Sequence, residues 1–158
     1  MKEEKTNVMR IFDQKKISYE SFCYVEANLT NGEEIAKYLN EDPSHVFKTL
    51  VTTSKSNTNY VFVIPVDKEL DLKKAAKAVG EKSIEMLKQK DLLPLTGYIH
   101  GGCSPVGMKK FFKTTIDQSV SDLNEMYVSA GKVGYQVKLA PSDLLKVIRY
   151  DTADVVVE

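Results

Sequence analysis

The chain has 158 residues, 42% hydrophobic and 28% charged, and its 22 basic side chains balance 22 acidic ones to a net charge of zero. That length suits one compact domain, 1–158, whose core buries most of its apolar surface. No apolar run approaches the roughly 20 residues of a membrane helix. A zero net charge excludes nucleic-acid binding by bulk charge, so any such ligand is held by a local patch, weakly, or with help from a partner.

The opening MKEEKTN leads into an amphipathic segment and not an apolar signal-peptide core. The expectation is therefore a cytoplasmic protein, with Cys23 and Cys103 as reduced thiols. Thr6 has the position of an N-cap for a helix running to about Lys16, with Val8, Ile11, Phe12 and Lys15 on one side. SYESFCYV reads as a strand. Thr30-Asn-Gly-Glu33 has capping-box spacing and opens a second helix with Ile35, Ala36 and Leu39 facing inward. HVFKTLVTT and NYVFVIPV, joined by SKSNT, form a hairpin of buried strands, with Pro65 at the end of the second, where a missing donor is tolerated.

Asp71 caps LKKAAKAVG, whose Leu72, Ala75, Ala76 and Val79 follow a helical period, and Gly80 stops it. A short strand near 83–86 and a helical turn near Asp91 lead to the glycine-rich TGYIHGGCSPVGMKK, residues 96–110. TTIDQSV and MYVSAG read as strands. Gly131 and Gly134 bracket a turn into YQVKLA, Ser142 begins a short helix, and ADVVVE closes the chain as a strand. About seven strands and four or five helices without strict βαβ alternation predict an α+β fold. Its sheet is curved, mixed and mostly antiparallel, with helices around it.

Four chemistries compete for these residues. Cys103 as a nucleophile needs a lowered pKa and a nearby base; His100, three residues away in a glycine turn, makes a poor dyad, and a small space-filling residue explains Cys103 more simply. A phosphate loop fails at two points: Met108 stands where GxxxxGK[ST] needs its lysine, and Pro105 removes a backbone donor. A zinc site lacks ligand spacing, because the only histidines are His45 and His100, and no metal or other cofactor is expected. Gly101 and Gly102 let a substrate lie against bare backbone, where N–H groups stabilise an oxyanion; a tight turn between strands explains them equally well.

Lys48 carries more information. Both faces of HVFKTLV are largely apolar, so a lysine there snorkels to an edge, pairs with an acid, or enters a cavity. Tyr24, Ser129 and Gln136 have side chains suited to a polar pocket, and each is equally an ordinary strand residue. No acid pair is placed for general acid–base work, and two histidines leave no Ser-His-Asp set.

These segments together resemble the YbaK family of trans-acting aminoacyl-tRNA editing proteins, related to the insertion editing domain of bacterial prolyl-tRNA synthetase, and within it the Cys-tRNA(Pro) deacylase branch. The resemblance is carried by KTNVMRIFDQKKISY, VFKTLV, ELDLKKAAKAVG, TGYIHGGCSPVGMKK and YVSAGKVG, almost end to end. It implies hydrolysis of the ester joining a mischarged amino acid, typically cysteine, to the terminal adenosine of tRNA. In this family the substrate's own thiol attacks, without metal or protein nucleophile. By position, Lys48 would anchor the terminal phosphate and ribose, the backbone of Gly101 and Gly102 would hold the carbonyl, Ser129 would contact the aminoacyl or adenosine end, and Tyr24 would line the pocket. Position 136 carries Asp in relatives and Gln here, which puts a charge-dependent role in question. The implied partners are the aminoacylated 3′ end of tRNA and prolyl-tRNA synthetase, with neither DNA nor membrane. An Ala-tRNA(Pro) deacylase, a non-catalytic tRNA- or synthetase-binding module, and a hydrolase using Cys103 remain as alternatives.

Overall fold

Thr6 opens the first helix in the way its spacing predicts: in the computed structural model its hydroxyl oxygen accepts from the Met9 amide at 3.3 Å, and α1 (Asn7–Gln14) buries Val8, Met9 and Phe12. The structure describes residues 5–158; the first four residues of MKEEKTN lie outside that range. After α1 comes β1 (Glu20–Cys23), a 3₁₀ turn at Val25–Ala27, and α2 (Gly32–Tyr38). The cap of α2 departs from expectation by one residue. Asn31, not Thr30, accepts from the Glu34 amide, at 3.1 Å. Asparagine is the stronger N-cap of the two, and Gly32 is fixed at the first helical position because a Cβ there would meet Val66 Cγ1 at 2.4 Å.

β2 (Phe47–Ser54) and β3 (Asn59–Pro65) form the expected hairpin, with Lys48 opposite Ile64 and Leu50 opposite Phe62. Asp71 caps α3 (Leu72–Ala78) by accepting from the Lys73 and Lys74 amides. Ala75 and Ala76 are buried as the period predicts, while Leu72, in the first turn, is exposed. β4 (Ile84–Met86) precedes α4 (Gln89–Thr96), a helix of two turns where the sequence suggests one. β5 (Lys113–Asp117) is shorter than TTIDQSV, because Asp117 accepts from the Ser119 amide and turns the chain into 3₁₀ conformation. β6 (Met126–Ser129), β7 (Tyr135–Leu139), α5 (Pro141–Leu144) and β8 (Asp151–Ala153) complete the order. The closing strand thus begins before ADVVVE, and beyond it a bridge between Leu70 and Val156 pairs the chain.

The architecture is α+β, and the strands divide into two sheets. One is antiparallel, in the order β1-β7-β6; the other runs β4-β2-β3-β5-β8, with β3-β5 and β5-β8 parallel. A bridge between Val46 and Tyr127 joins them. The main core unites α1 with both sheets through Phe12, Val61, Val63, Ile116, Met126, Val128 and Val137. A second cluster sets Phe62 and Ile64 against Ala75 and Ala76 of α3. β3 is therefore covered on both faces, each fully buried aliphatic or aromatic side chain contributing roughly 1.5–3 kcal/mol, and this anchors β2 beside it.

β2 is paired unevenly. β3 runs along its whole length, whereas β4 reaches only Thr52, Thr53 and Ser54. On that side, residues 47–50 have no strand partner among the described residues, and the gap between β4 and the bridge at Val46 is where a cavity opens.

Candidate functional site: a cavity at the open edge of β2

The cavity measures about 330 Å³ and draws its walls from distant parts of the chain. β2 contributes Lys48, Thr49 and Leu50; the segment entering α2 contributes Thr30 and Asn31; the paired strands β6 and β7 contribute Ser129 and Gln136, directly opposite one another. Tyr24 enters from the end of β1, and Leu92, His100, Gly101 and Cys103 from α4 and the glycine loop. This volume lies at the lower end for pockets that take small molecules.

Five of the six residues singled out in the sequence line this cavity: Tyr24, Lys48, Gly101, Ser129 and Gln136. Gly102 does not. It is buried behind the wall, its N–H donates to the Ile99 carbonyl at 3.0 Å, and a Cβ on it would meet the Val133 nitrogen at 3.1 Å. Its lack of a side chain serves close backbone packing, and its amide is already committed. Gly101 is different. It has φ +88, a left-handed conformation costly to other residues, and its amide has no partner among the described residues.

Lys48 is half-buried, and its ammonium makes no hydrogen bond or ion pair among the described residues. Ser129 Oγ accepts from the Gly131 amide at 3.1 Å, which fixes the hydroxyl and leaves its proton for a ligand. Tyr24 is held by its amide, which donates to the Gly134 carbonyl at 2.7 Å, and burial raises its phenol above the usual range. Burial pushes the Cys103 thiol up to about 12. At neutral pH it is a protonated, inert thiol.

Buried polar atoms without partners gather here. Among the described residues, the side-chain atoms in that condition are Thr49 Oγ1, Gln136 Oε1, both carboxyl oxygens of Glu41, and Ser119 Oγ. Thr49 and Gln136 line the cavity, and Glu41 faces Gln136. Such atoms are rare in folded proteins, and their clustering marks a surface built to receive polar groups. Glu41 was invisible in the sequence: it lies in the loop after α2, where nothing in its spacing tells it from the solvated acids around it.

A model of the aminoacyl-tRNA editing domain matches residues 26–147. The chain belongs to that family. A protein of Enterococcus faecalis, provisionally named a Cys-tRNA(Pro)/Cys-tRNA(Cys) deacylase, EbsC, is 44% identical over 97% of this chain and 94% of its own length. Proline–tRNA ligase of Finegoldia magna is 30% identical over 70% of this chain, which corresponds to 19% of that enzyme. Two solved structures share the fold of this editing domain. One, described as a trans-editing enzyme for prolyl-tRNA synthetase on a provisional basis, superposes with a TM-score of 0.81 at 21% identity, covering 96% of this chain and 95% of its own. The other, a hypothetical protein, reaches 0.86 at 22% identity, covering 95% and 99%. No helix of the described residues is long and apolar enough to cross a membrane.

Proposed function

We propose that this editing-domain protein acts in trans to hydrolyse the ester between a mischarged amino acid and the 3′-terminal adenosine of tRNA, with Cys-tRNA(Pro) as chief substrate. The observation that carries this reading is a cavity that gathers a free ammonium (Lys48), a free backbone donor (Gly101) and a set of unpartnered polar atoms, beside a cysteine unfit to act as nucleophile. The name of the Enterococcus relative supports the same substrate.

In this scheme the nucleophile arrives with the substrate. The cysteinyl thiol attacks its own ester carbonyl; the C–S bond forms, the bond from the carbonyl carbon to the ribose oxygen breaks, and the thiol proton ends on that oxygen. The released cyclic thioester is then opened by water, so the first step is lyase-like and the net outcome hydrolytic. The protein's task is to hold thiol and carbonyl within attacking distance, and intramolecular alignment of this kind supplies a large effective molarity. Lys48 pairs with the terminal phosphate and ribose, the Gly101 amide takes the developing charge on the carbonyl oxygen, and Ser129, Tyr24 and Gln136 orient the aminoacyl end.

The body of the tRNA requires a basic surface. Lys109, Lys110 and Lys113 flank Phe111 in the sequence, and Phe111 is 65% exposed and suited to stacking on an unpaired base. With a net charge of zero overall, such contacts give modest affinity, and prolyl-tRNA synthetase is the partner that would retain the tRNA. This reading places the protein in the cytoplasm, where tRNA is charged.

The deciding assay compares release of cysteine, alanine and proline from the corresponding aminoacyl-tRNA(Pro) by purified protein. Release of cysteine well above the uncatalysed rate is expected. Intact Cys-tRNA(Pro) would overturn the cysteine assignment, and tRNA binding without ester cleavage of any of the three would make the protein a binding module.

A further inference from the structure

Behind the cavity wall lies a carboxyl group that the scheme above does not use. Asn40 ends the chain's run through α2 in left-handed conformation, φ 57, and the Glu41 amide donates to the Ala36 carbonyl at 2.8 Å, which ties Glu41 to the end of α2 while its carboxyl faces Gln136 and Lys138 of β7. Both of its carboxyl oxygens are buried without a hydrogen-bond partner among the described residues. In front of it stands Gln136, only 4% exposed, lining the cavity with its own Oε1 buried and unpartnered.

We propose that Glu41 and Gln136 act as a coupled pair in which the protonation state of Glu41 decides whether the Gln136 amide presents an acceptor or a donor to the substrate. An ionised carboxylate only accepts, so it takes the Gln136 NH₂ and turns Oε1 toward the cavity. A protonated carboxyl donates its O–H to Oε1 and turns the NH₂ outward. The two ends of an amide are nearly equal in size, so the exchange is a rotation about the last side-chain torsion that needs no repacking. The acceptor state suits the α-ammonium of an aminoacyl ester, and the donor state opposes it. Glu41 is thus a positioning residue that acts on the substrate through the Gln136 amide, from a different element of the fold.

The surroundings fit a group that titrates near neutrality. Burial pushes the Glu41 carboxyl up to about 7, while the Gln136 amide and the Lys138 ammonium act in the opposite sense. The charged and titratable groups that face it are Lys138 from β7, Tyr24 from the end of β1, and Tyr127 from β6. Lys138 is shared with Glu20 at 3.0 Å and Glu125 at 3.4 Å, so it does not neutralise Glu41 outright.

The inference rests on the deacylase reading, and its test has two arms that fail separately. In the first, the side-chain amide of Gln136 is followed by NMR in the free protein from pH 5 to 9. A titration centred near 7 in the wild type and absent in Glu41→Gln is expected; an amide insensitive to pH in the wild type, or one that titrates equally in Glu41→Gln, overturns the pair. In the second, deacylation of Cys-tRNA(Pro) is measured against pH. Between pH 8 and 6, a group with a pKa of about 7 loses about tenfold of its ionised form. KM should rise about as much in the wild type and less than twofold in Glu41→Gln, while Glu41→Asp retains the inflection. The amino group of the substrate titrates identically for every variant, so the difference between variants reports Glu41. Parallel profiles for wild type and Glu41→Gln refute the coupling. Absence of deacylation with an intact NMR titration refutes the deacylase reading and leaves the pair standing.

Discussion

The Tyr98 hydroxyl donates to the Val106 carbonyl across eight residues of chain, and this bond closes the loop that carries Gly101 and Cys103 into the cavity. Both ends of the loop are tied by hydroxyls. Thr96 Oγ1 donates to the Leu92 carbonyl at 2.7 Å and accepts from the Tyr98 amide at 3.0 Å, and Ser104 Oγ accepts from the Val106 amide at 3.2 Å. The glycine-rich segment is therefore a rigid presentation of backbone, with Tyr98 buried in the main core as its anchor.

Removing that anchor has a measurable cost. Tyr98→Phe keeps the ring and strands the Val106 carbonyl without its donor, and an unsatisfied buried acceptor costs about 1–3 kcal/mol. Urea unfolding should show a midpoint lowered accordingly with an unchanged slope, and kcat for deacylation should fall as Gly101 loses its fixed position. An unchanged midpoint would mean that the loop is held by packing alone.

Lys48 and Cys103 are both on the cavity wall, and they separate the two mechanisms. Lys48→Ala should abolish most deacylation without changing the unfolding midpoint by more than a few tenths of a kcal/mol, the usual range for a substitution that breaks no buried contact. Cys103→Ala should retain most activity, because a thiol with a pKa pushed up to about 12 carries almost no thiolate at neutral pH. Single-turnover rates on Cys-tRNA(Pro) decide between them, and the reverse ranking would make Cys103 the nucleophile.

How much of this was legible follows from what each residue depends on. Thr6, Asp71 and the β2-β3 hairpin were readable because caps and alternation are local. Lys48 stood out for the same reason, as a charge in a strand with two apolar faces. The way the two sheets meet depends on the bridge between Val46 and Tyr127, segments about 80 residues apart, and no local pattern encodes it. Gly101 and Gly102 look alike in the sequence; the turn that ties the Gly102 amide to the Ile99 carbonyl three residues back leaves the Gly101 amide without a partner among the described residues. Glu41 was missed entirely, since burial of a lone acid after a helix is decided by the strands that happen to cover it.

The two neighbouring glycines should respond differently to alanine. At Gly101 the new Cβ faces Thr30 at 3.3 Å and the backbone is left-handed, φ +88, a conformation that costs an L-residue about 1–2 kcal/mol. Because this residue lines the cavity, Gly101→Ala should lower kcat for Cys-tRNA(Pro) more than tenfold, the range seen when an oxyanion donor is lost or misplaced. At Gly102 the Cβ meets backbone of the 131–134 turn, Val133 N at 3.1 Å, so the main effect should be a lower Tm. Equal kinetic and thermal effects in both variants would remove the distinction drawn between them.

Stability should vary with pH in a direction fixed by Glu41. Its folded pKa, about 7, lies above its ordinary value of 4.5, so between these values the folded state binds more protons than the unfolded chain. Its contribution is fully present below pH 4.5 and is lost as pH rises through 7. Glu41→Gln removes that loss. The variant should gain stability relative to wild type as pH rises from 5 to 8, which unfolding curves at the two pH values test directly. A difference between the proteins that stays constant with pH would show that Glu41 ionises normally in the fold.

Salt dependence tests the basic surface around Phe111. Each phosphate neutralised on a single strand contributes about −0.7 to the slope of log K against log salt. Lys110→Ala combined with Lys113→Ala should therefore reduce the magnitude of that slope for tRNA(Pro) by about 1 to 1.5. Phe111→Ala should weaken binding without altering the slope, since stacking is worth about 1–3 kcal/mol per base and releases no counterions. Lys110 also lies over the Phe112 ring at 5.5 Å, so its removal is paired with an unfolding measurement to confirm that the lost affinity is electrostatic. Slopes identical to wild type in the double variant would move the tRNA to another face, where Lys73 and Lys77 on the outer side of α3 are the next surface to test.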